Sequence, residues 1–187
     1  VCVYCGSSSA VDDIYKSAAR DLGTGLAQAG LTLVYGGGAS GLMGMTADAA
    51  LAAKGEVIGI FPAFLKKFEA PHSKLTTTHI VESMHERKKM MAELSDCFIV
   101  LPGGFGTLDE LMEVLTLVQS GKIRRIPIIL VHPPFWVGLI DWMRERLAGE
   151  GMVDPDDLGL IQVHDNPDAI VDAIFRYYEK RSFAPTP

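Results

Sequence analysis

Seven short apolar runs, set apart by longer segments, constrain this 187-residue chain more than any other feature. They are VCVYC (1–5), LTLVY (31–35), EVIGIF (56–61), THIV (78–81), CFIVL (97–101), IPIILV (126–131) and LIQVH (160–164). Most are apolar at successive positions instead of alternating with polar residues, and a strand without a polar face has to be covered on both sides. Helical periodicity fills most of the gaps, over roughly 12–29, 41–54, 84–94, 107–120, 135–148 and 167–181. Parallel strands need crossover helices, so the pattern predicts an α/β fold: an open, doubly wound, mostly parallel sheet with helices on both faces. The stretch 62–77, PAFLKKFEAPHSKLTT, carries two prolines and little periodicity. It is expected to be an irregular excursion of the kind that closes over a site.

No shift in composition marks a second domain, so residues 1–181 read as a single domain and 182–187 as a flexible tail. The net charge of −6 argues against a nucleic-acid or anionic-membrane partner, while leaving room for a local basic pocket. No apolar run reaches the length of a membrane span, and the sequence does not open on a charged n-region followed by an apolar h-region. Cys2, Cys5 and Cys97 are an odd number, all in or beside apolar runs, as expected of buried reduced thiols. A soluble, cytoplasmic protein is expected. His72, His79, His85, His132 and His164 are scattered without metal-ligand spacing, so no metal is expected.

In a Rossmann-like sheet, ligands sit beyond the carboxyl ends of the strands, which directs attention to the turns that follow them. Three stand out: CGSSSA after the first run, YGGGASGLMG (35–44) and PGGFGTLDE (102–110). Glycine clusters there serve either as tight turns or as cradles in which backbone N–H groups approach a phosphate at a helix N-terminus. Two clusters at equivalent places favour the cradle, which makes Gly36, Gly37 and Gly38 candidates along with Gly103, Gly104 and Gly106. Gly36-x-Gly38-x-x-Gly41 formally matches the dinucleotide fingerprint, but the next strand ends in IFPAF with no acid to hold a ribose. No Gly-Lys-Ser/Thr follows either cluster, so a P-loop fails too, and no cofactor is expected.

Two charged residues interrupt an apolar helix face. Arg87 has Met84, Met90 and Met91 at helical spacing, and Lys88 has Met84 and Met91. Such cations either snorkel to water or face an anion in a cleft, a task for which the arginine fork is better suited. Thr107-x-x-Glu110 spells a capping box, with Thr107 as N-cap. Yet Asp109, Glu110 and Glu113 put more acid at this helix start than a cap requires. A carboxylate one turn beyond a phosphate cradle would lie near the sugar of a nucleotide.

Taken together, VYGGGASGLMG, MHERK and PGGFGTLDE resemble the Lonely Guy (LOG) family of cytokinin-activating nucleoside 5′-monophosphate phosphoribohydrolases. The resemblance runs from CGSSS to the terminal helix. It implies hydrolysis of the N-glycosidic bond of adenosine 5′-monophosphate or an N6-modified relative, giving free base and ribose 5-phosphate. It further implies that Arg87 and Glu110 are catalytic, that Lys88 completes the Arg-Lys pair, and that Gly103, Gly104, Phe105, Gly106 and Thr107 form the phosphate turn. Glu69 and Thr116 match positions facing the nucleotide, Asp109 is counted with them, and relatives are commonly homodimers. Leu117 and Ser120 depart from the family pattern, which has Trp and a Leu-Gly pair there. A broader nucleotide nucleosidase and a non-catalytic nucleotide sensor are the alternatives.

Overall fold

A computed structural model describes residues 1–182. All seven expected strands form: β1 (Cys2–Tyr4), β2 (Leu33–Tyr35), β3 (Val57–Pro62), β4 (Thr77–Val81), β5 (Phe98–Val100), β6 (Ile128–Val131) and β7 (Ile161–His164). They make one sheet in the order β4-β3-β2-β1-β5-β6-β7, and every pairing is parallel. The expected doubly wound sheet is therefore present. Six α-helices cover it: α1 (Asp13–Gln28), α2 (Gly41–Ala52), α3 (Met84–Glu93), α4 (Phe105–Gln119), α5 (Pro133–Trp142) and α6 (Pro167–Ser182).

Period-two alternation along each strand feeds two separate cores. Val3 and Cys5 face one cluster, with Leu22 and Leu26 of α1, Leu42 and Ala47 of α2, and Ile170 and Ile174 of α6. Cys2 and Tyr4 face the other, with Met91 of α3, Leu111 and Val114 of α4, and Trp136 of α5. The three cysteines are buried free thiols. Helices α1 and α2 pack so closely that a Cβ on Gly23 would lie 2.2 Å from the Thr46 carbonyl oxygen, which is why a helix interior tolerates glycine there.

Strand order reverses between β1 and β5: from β1 the chain winds outward to β4, then returns to place β5 on the other side. The loops after these two strands diverge and open a crevice between them. The segment after β3 runs irregularly apart from a single 3-10 turn, Ala63–Lys67, and lies against the same end of the sheet.

Several boundaries are offset from the sequence expectation, most informatively in α4, α5 and α6. Helix α5 begins at Pro133, not 135, because the first helical turn has no use for the N–H groups that Pro133 and Pro134 lack. It continues as a π-helical turn over Met143–Ala148. Helix α6 runs to Ser182, the first residue of the expected tail, and the rest of that tail, 183–187, lies outside the described residues. Helix α4 begins at Phe105 with Gly104 as its N-cap. Thr107 thus sits inside the first turn, and the capping-box reading of Thr107 and Glu110 is overturned.

Candidate functional site

A cavity of about 380 Å³ occupies the crevice between β1 and β5, within the size range of small-molecule sites. Cys5, Gly6 and Ser7 after β1 line it, with Met43 of α2, Leu65 and Glu69 of the irregular segment, Met84 and Arg87 of α3, and Gly104 to Thr107, Asp109 and Glu110 of α4. A larger hollow of about 620 Å³ opens at the opposite, amino ends of the strands. Its charged side chains Asp96 and Arg124 pair with each other, and α/β sheets present ligands at their carboxyl ends, so chemistry belongs to the smaller cavity.

The N-terminus of α4 forms one wall. Gly104 offers no side-chain cap, and among the described residues no acceptor takes the N–H groups of Phe105, Gly106 or Thr107. The first bond of the ladder runs from Leu108 N–H to Gly104 O at 3.0 Å. Three unpaired donors and the positive end of the helix dipole are chemically suited to an anion. A Cβ on Gly104 or Gly106 would meet nothing within 4 Å, so this part of the turn is open. Gly103 differs: a Cβ there would lie 2.0 Å from Thr107 Oγ1 and 2.9 Å from the Gly6 N atom. It lets the β1 and β5 loops touch, outside the cavity lining. The Phe105 ring is 93% exposed at the mouth.

Arg87 is buried, and its guanidinium is clamped by backbone at the ends of β2 and β3. Nη2 donates to Gly36 O at 2.7 Å and Nε to Ile60 O at 3.2 Å. Among the described residues no carboxylate pairs with it. The snorkelling alternative is excluded: the charge is held inside, fixed by carbonyl dipoles and uncompensated by any anion.

That clamp corrects the reading of the 35–44 cluster as a second phosphate cradle. A Cβ on Gly36 would lie 1.7 Å from Arg87 Nη2, and one on Gly38 would lie 2.4 Å from Glu69 Oε1. Gly37, at φ +75°, turns the chain against Gly59, Ile60 and Phe61. These glycines make room for Arg87 and Glu69, so the space a phosphate would need is filled by protein. Gly36→Ala is expected to dislodge Arg87, lowering stability by about 1–3 kcal/mol along with activity. Gly104→Ala, with open space around it, should keep its Tm yet obstruct the anion site and lose activity. Melting curves and turnover for the pair separate scaffold from cradle.

Glu69 lines the cavity and its Oε1 accepts a hydrogen bond from Ser40 Oγ at 2.7 Å. Ser40 is the N-cap of α2 but makes no capping bond, its hydroxyl being committed to Glu69. Ser40 was missed by sequence reasoning, although it lies inside the flagged turn; Gly6 and Ser7 were flagged within CGSSSA without a role.

Three acids of α4 are sorted by their partners. Lys88 Nζ lies 2.5 Å from Glu113 Oε2 and 3.0 Å from Asp109 Oδ2, and the Glu113 carboxylate, with Asp109 behind it, holds the ammonium above its usual pKa. Lys88 therefore ties α3 to α4 and does not line the cavity. Glu110 has no ion-pair or hydrogen-bond partner among the described residues. Burial pushes its carboxyl from 4.5 to about 7, with the Arg87 charge opposing the rise. One carboxyl with a pKa raised toward 7 thus stands between two that share the Lys88 ammonium. Thr116 lies away from the cavity: its hydroxyl donates to Met112 O at 2.8 Å, and it shares a shallow groove on α4 with Lys88, Met112 and Leu117. The Ser120 hydroxyl donates to Leu117 O at the end of that helix.

Fold and site together define a Rossmann-like α/β protein with an uncapped helix N-terminus and a buried carboxyl of raised pKa at its switch point. Residues 43–174 match the family model described as "Possible lysine decarboxylase". The chain is 38% identical over 177 residues to cytokinin riboside 5′-monophosphate phosphoribohydrolase LOG5 of Arabidopsis thaliana, spanning 95% of this chain and 77% of that one. It is 41% identical over 156 residues to the cytokinin riboside 5′-monophosphate phosphoribohydrolase of Rhodococcoides fascians, spanning 83% and 78%. Among solved structures, the molybdenum cofactor carrier protein of Chlamydomonas reinhardtii superposes with a TM-score of 0.70 at 19% identity over 96% of both chains. That likeness speaks to the fold alone. The chain belongs to the LOG family.

Proposed function

We propose that the protein hydrolyses the N-glycosidic bond of adenosine 5′-monophosphate or an N6-modified relative, releasing the base and ribose 5-phosphate. One observation carries the reading: an unpaired carboxyl poised near neutrality stands one turn beyond three unpaired helix N–H donors, in one cavity with an uncompensated arginine. The names of the relatives point the same way. The lysine decarboxylase description does not fit the cavity, since among the described residues no lysine lines it to carry a pyridoxal aldehyde.

In this reading the 5′-phosphate docks on the N–H groups of Phe105, Gly106 and Thr107, and Arg87 lends it charge from the opposite wall. Glu69 accepts from a donor on the sugar or base. As the C1′–N bond lengthens, its electron pair leaves with the base, and positive charge grows on the ribose. The Glu110 carboxylate faces that charge and takes a proton from the attacking water, whose oxygen bonds to C1′; the departing base takes up that proton, which leaves Glu110 ionised again. Lys88 keeps Asp109 and Glu113 paired, which leaves Glu110 as the unpaired carboxyl, and Thr116, in the α4 groove, does not reach this cavity. A homodimer pairing through that groove and a cytoplasmic location belong to the same reading; sedimentation at twice the chain mass tests the first.

A base role sets the pH dependence. Glu110 must be ionised, so kcat/KM should rise tenfold per pH step below about 7 and level off above it. A substrate phosphate titrates near 6, so Glu110→Gln is the control: it should lose the inflection near 7 and keep the lower one. The function itself is tested by incubating purified protein with purine and pyrimidine nucleoside monophosphates, plain and N6-prenylated, and measuring free base. Adenine nucleotides should be cleaved; equal cleavage of all bases would favour a broader salvage nucleosidase, and no cleavage a sensor.

A further inference from the structure

One buried titratable side chain near the cavity has no part in the chemistry above. His72 is 8% exposed, four residues before the end of the irregular segment at Thr76, and does not line the cavity. Its ring is committed at both nitrogens. Nδ1 accepts from the Lys74 N–H at 3.2 Å, which requires the proton to sit on Nε2, and Nε2 lies 3.0 Å from Asp48 Oδ1 on α2. Its own N–H donates to Gly37 O at 2.9 Å, and the adjacent Pro71 pairs with Gly38 in an isolated antiparallel bridge. Three residues upstream, Glu69 reaches Ser40, the N-cap of the same helix. The far end of the segment is held by Leu75 against the core and by Val57 N–H on Thr76 Oγ1 at 3.0 Å, but the part around Glu69 is loosely packed: Phe68 is 84% exposed, and 63–67 form a 3-10 turn with no buried residue.

We propose that His72 is a positioning residue for the substrate: it latches the segment 63–76 onto α2 through Asp48 and thereby holds the Glu69 carboxylate at the cavity wall. The inference rests on the proposed nucleotide hydrolysis for its functional consequence and on the geometry alone for the latch. A histidine suits the task because one ring joins a local backbone N–H on one side to a carboxylate on a different element on the other. Glutamine reproduces the outer donor and asparagine only the inner acceptor. The outer contact spans elements, so it is the one that matters for Glu69.

The test is a double-mutant cycle on the full chain, using adenosine 5′-monophosphate as substrate. His72→Ala should lower kcat/KM about tenfold, mostly through KM, and His72→Gln should recover most of the loss while His72→Asn does not. Combined with Glu69→Gln, His72→Ala should cost less than about twofold more, because the residue it acts through is already gone. Asp48→Ala, at a side chain 68% exposed, leaves the core untouched and should reproduce the His72→Ala loss if that variant does not fold. Equal losses in both Glu69 backgrounds, or full activity in Asp48→Ala, would overturn the proposal. A wild-type protein that cleaves no nucleotide would refute the proposed function instead. The latch would then be read from amide exchange, which Asp48→Ala should accelerate across 63–76; unchanged exchange there would refute it.

Discussion

Glu110→Gln is expected to bind adenosine 5′-monophosphate with near-native affinity and to release base about a hundredfold more slowly, or worse. The substitution keeps size and hydrogen-bonding capacity but removes the negative charge and the proton acceptor. In the free protein that charge is costly, because burial disfavours it and Arg87 only partly compensates. Its value appears when the ribose becomes electron-poor, so the loss should fall on kcat and not on KM. Isothermal titration of the variant and single-turnover base release measure the two halves separately. Native turnover by the variant would remove Glu110 from the reaction.

Adenosine should be a far poorer substrate than its monophosphate, by about a thousandfold in kcat/KM. The magnitude follows from the three α4 donors: charge-assisted hydrogen bonds contribute about 1.5 kcal/mol or more each, and a total of about 4 kcal/mol is a thousandfold. That binding free energy is gained at a group remote from the bond that breaks, and fixes C1′ against Glu110. Raised salt should narrow the gap only slightly, since the donors are backbone groups in a partly closed cavity and not surface lysines. Comparable rates for the two substrates would show that the open turn at Gly104 and Gly106 does not hold phosphate.

The fold was legible because its strands announce themselves. Runs such as IIL at 128–130 have no polar face, and that alone demands cover on both sides. The start of α1 was legible at Asp12, whose carboxylate accepts from Ile14 N–H, and that of α2 at Gly41 even without a capping bond, but the start of α4 was not. At α4 the Thr107 and Glu110 spacing imitates a capping box, while the real start is uncapped at Gly104. An uncapped start leaves N–H groups for a ligand, so local capping rules fail at the functional turn.

Within the site, side chains that enter the cavity by local geometry were readable: Arg87 from its apolar helix face, Glu110 from its place behind the glycine turn. Roles set by long-range contacts were not. Gly36 and Gly38 looked like a phosphate cradle because glycine spacing records only that something approaches the backbone. That the approaching groups are Arg87, 51 residues away, and Glu69 emerges only from the packing. Lys88 likewise shares its helix face with Arg87 in sequence, but a rotation of one residue carries it from the cavity to Asp109 and Glu113.

The central claim concerns which bond is cut, and isotope labelling reads that without intermediaries. With adenosine 5′-monophosphate in water enriched in oxygen-18, the protein should yield adenine and ribose 5-phosphate in equal amounts, with the label at C1 of the sugar. Label appearing instead in released inorganic phosphate, or unchanged nucleotide after prolonged incubation, would contradict the account.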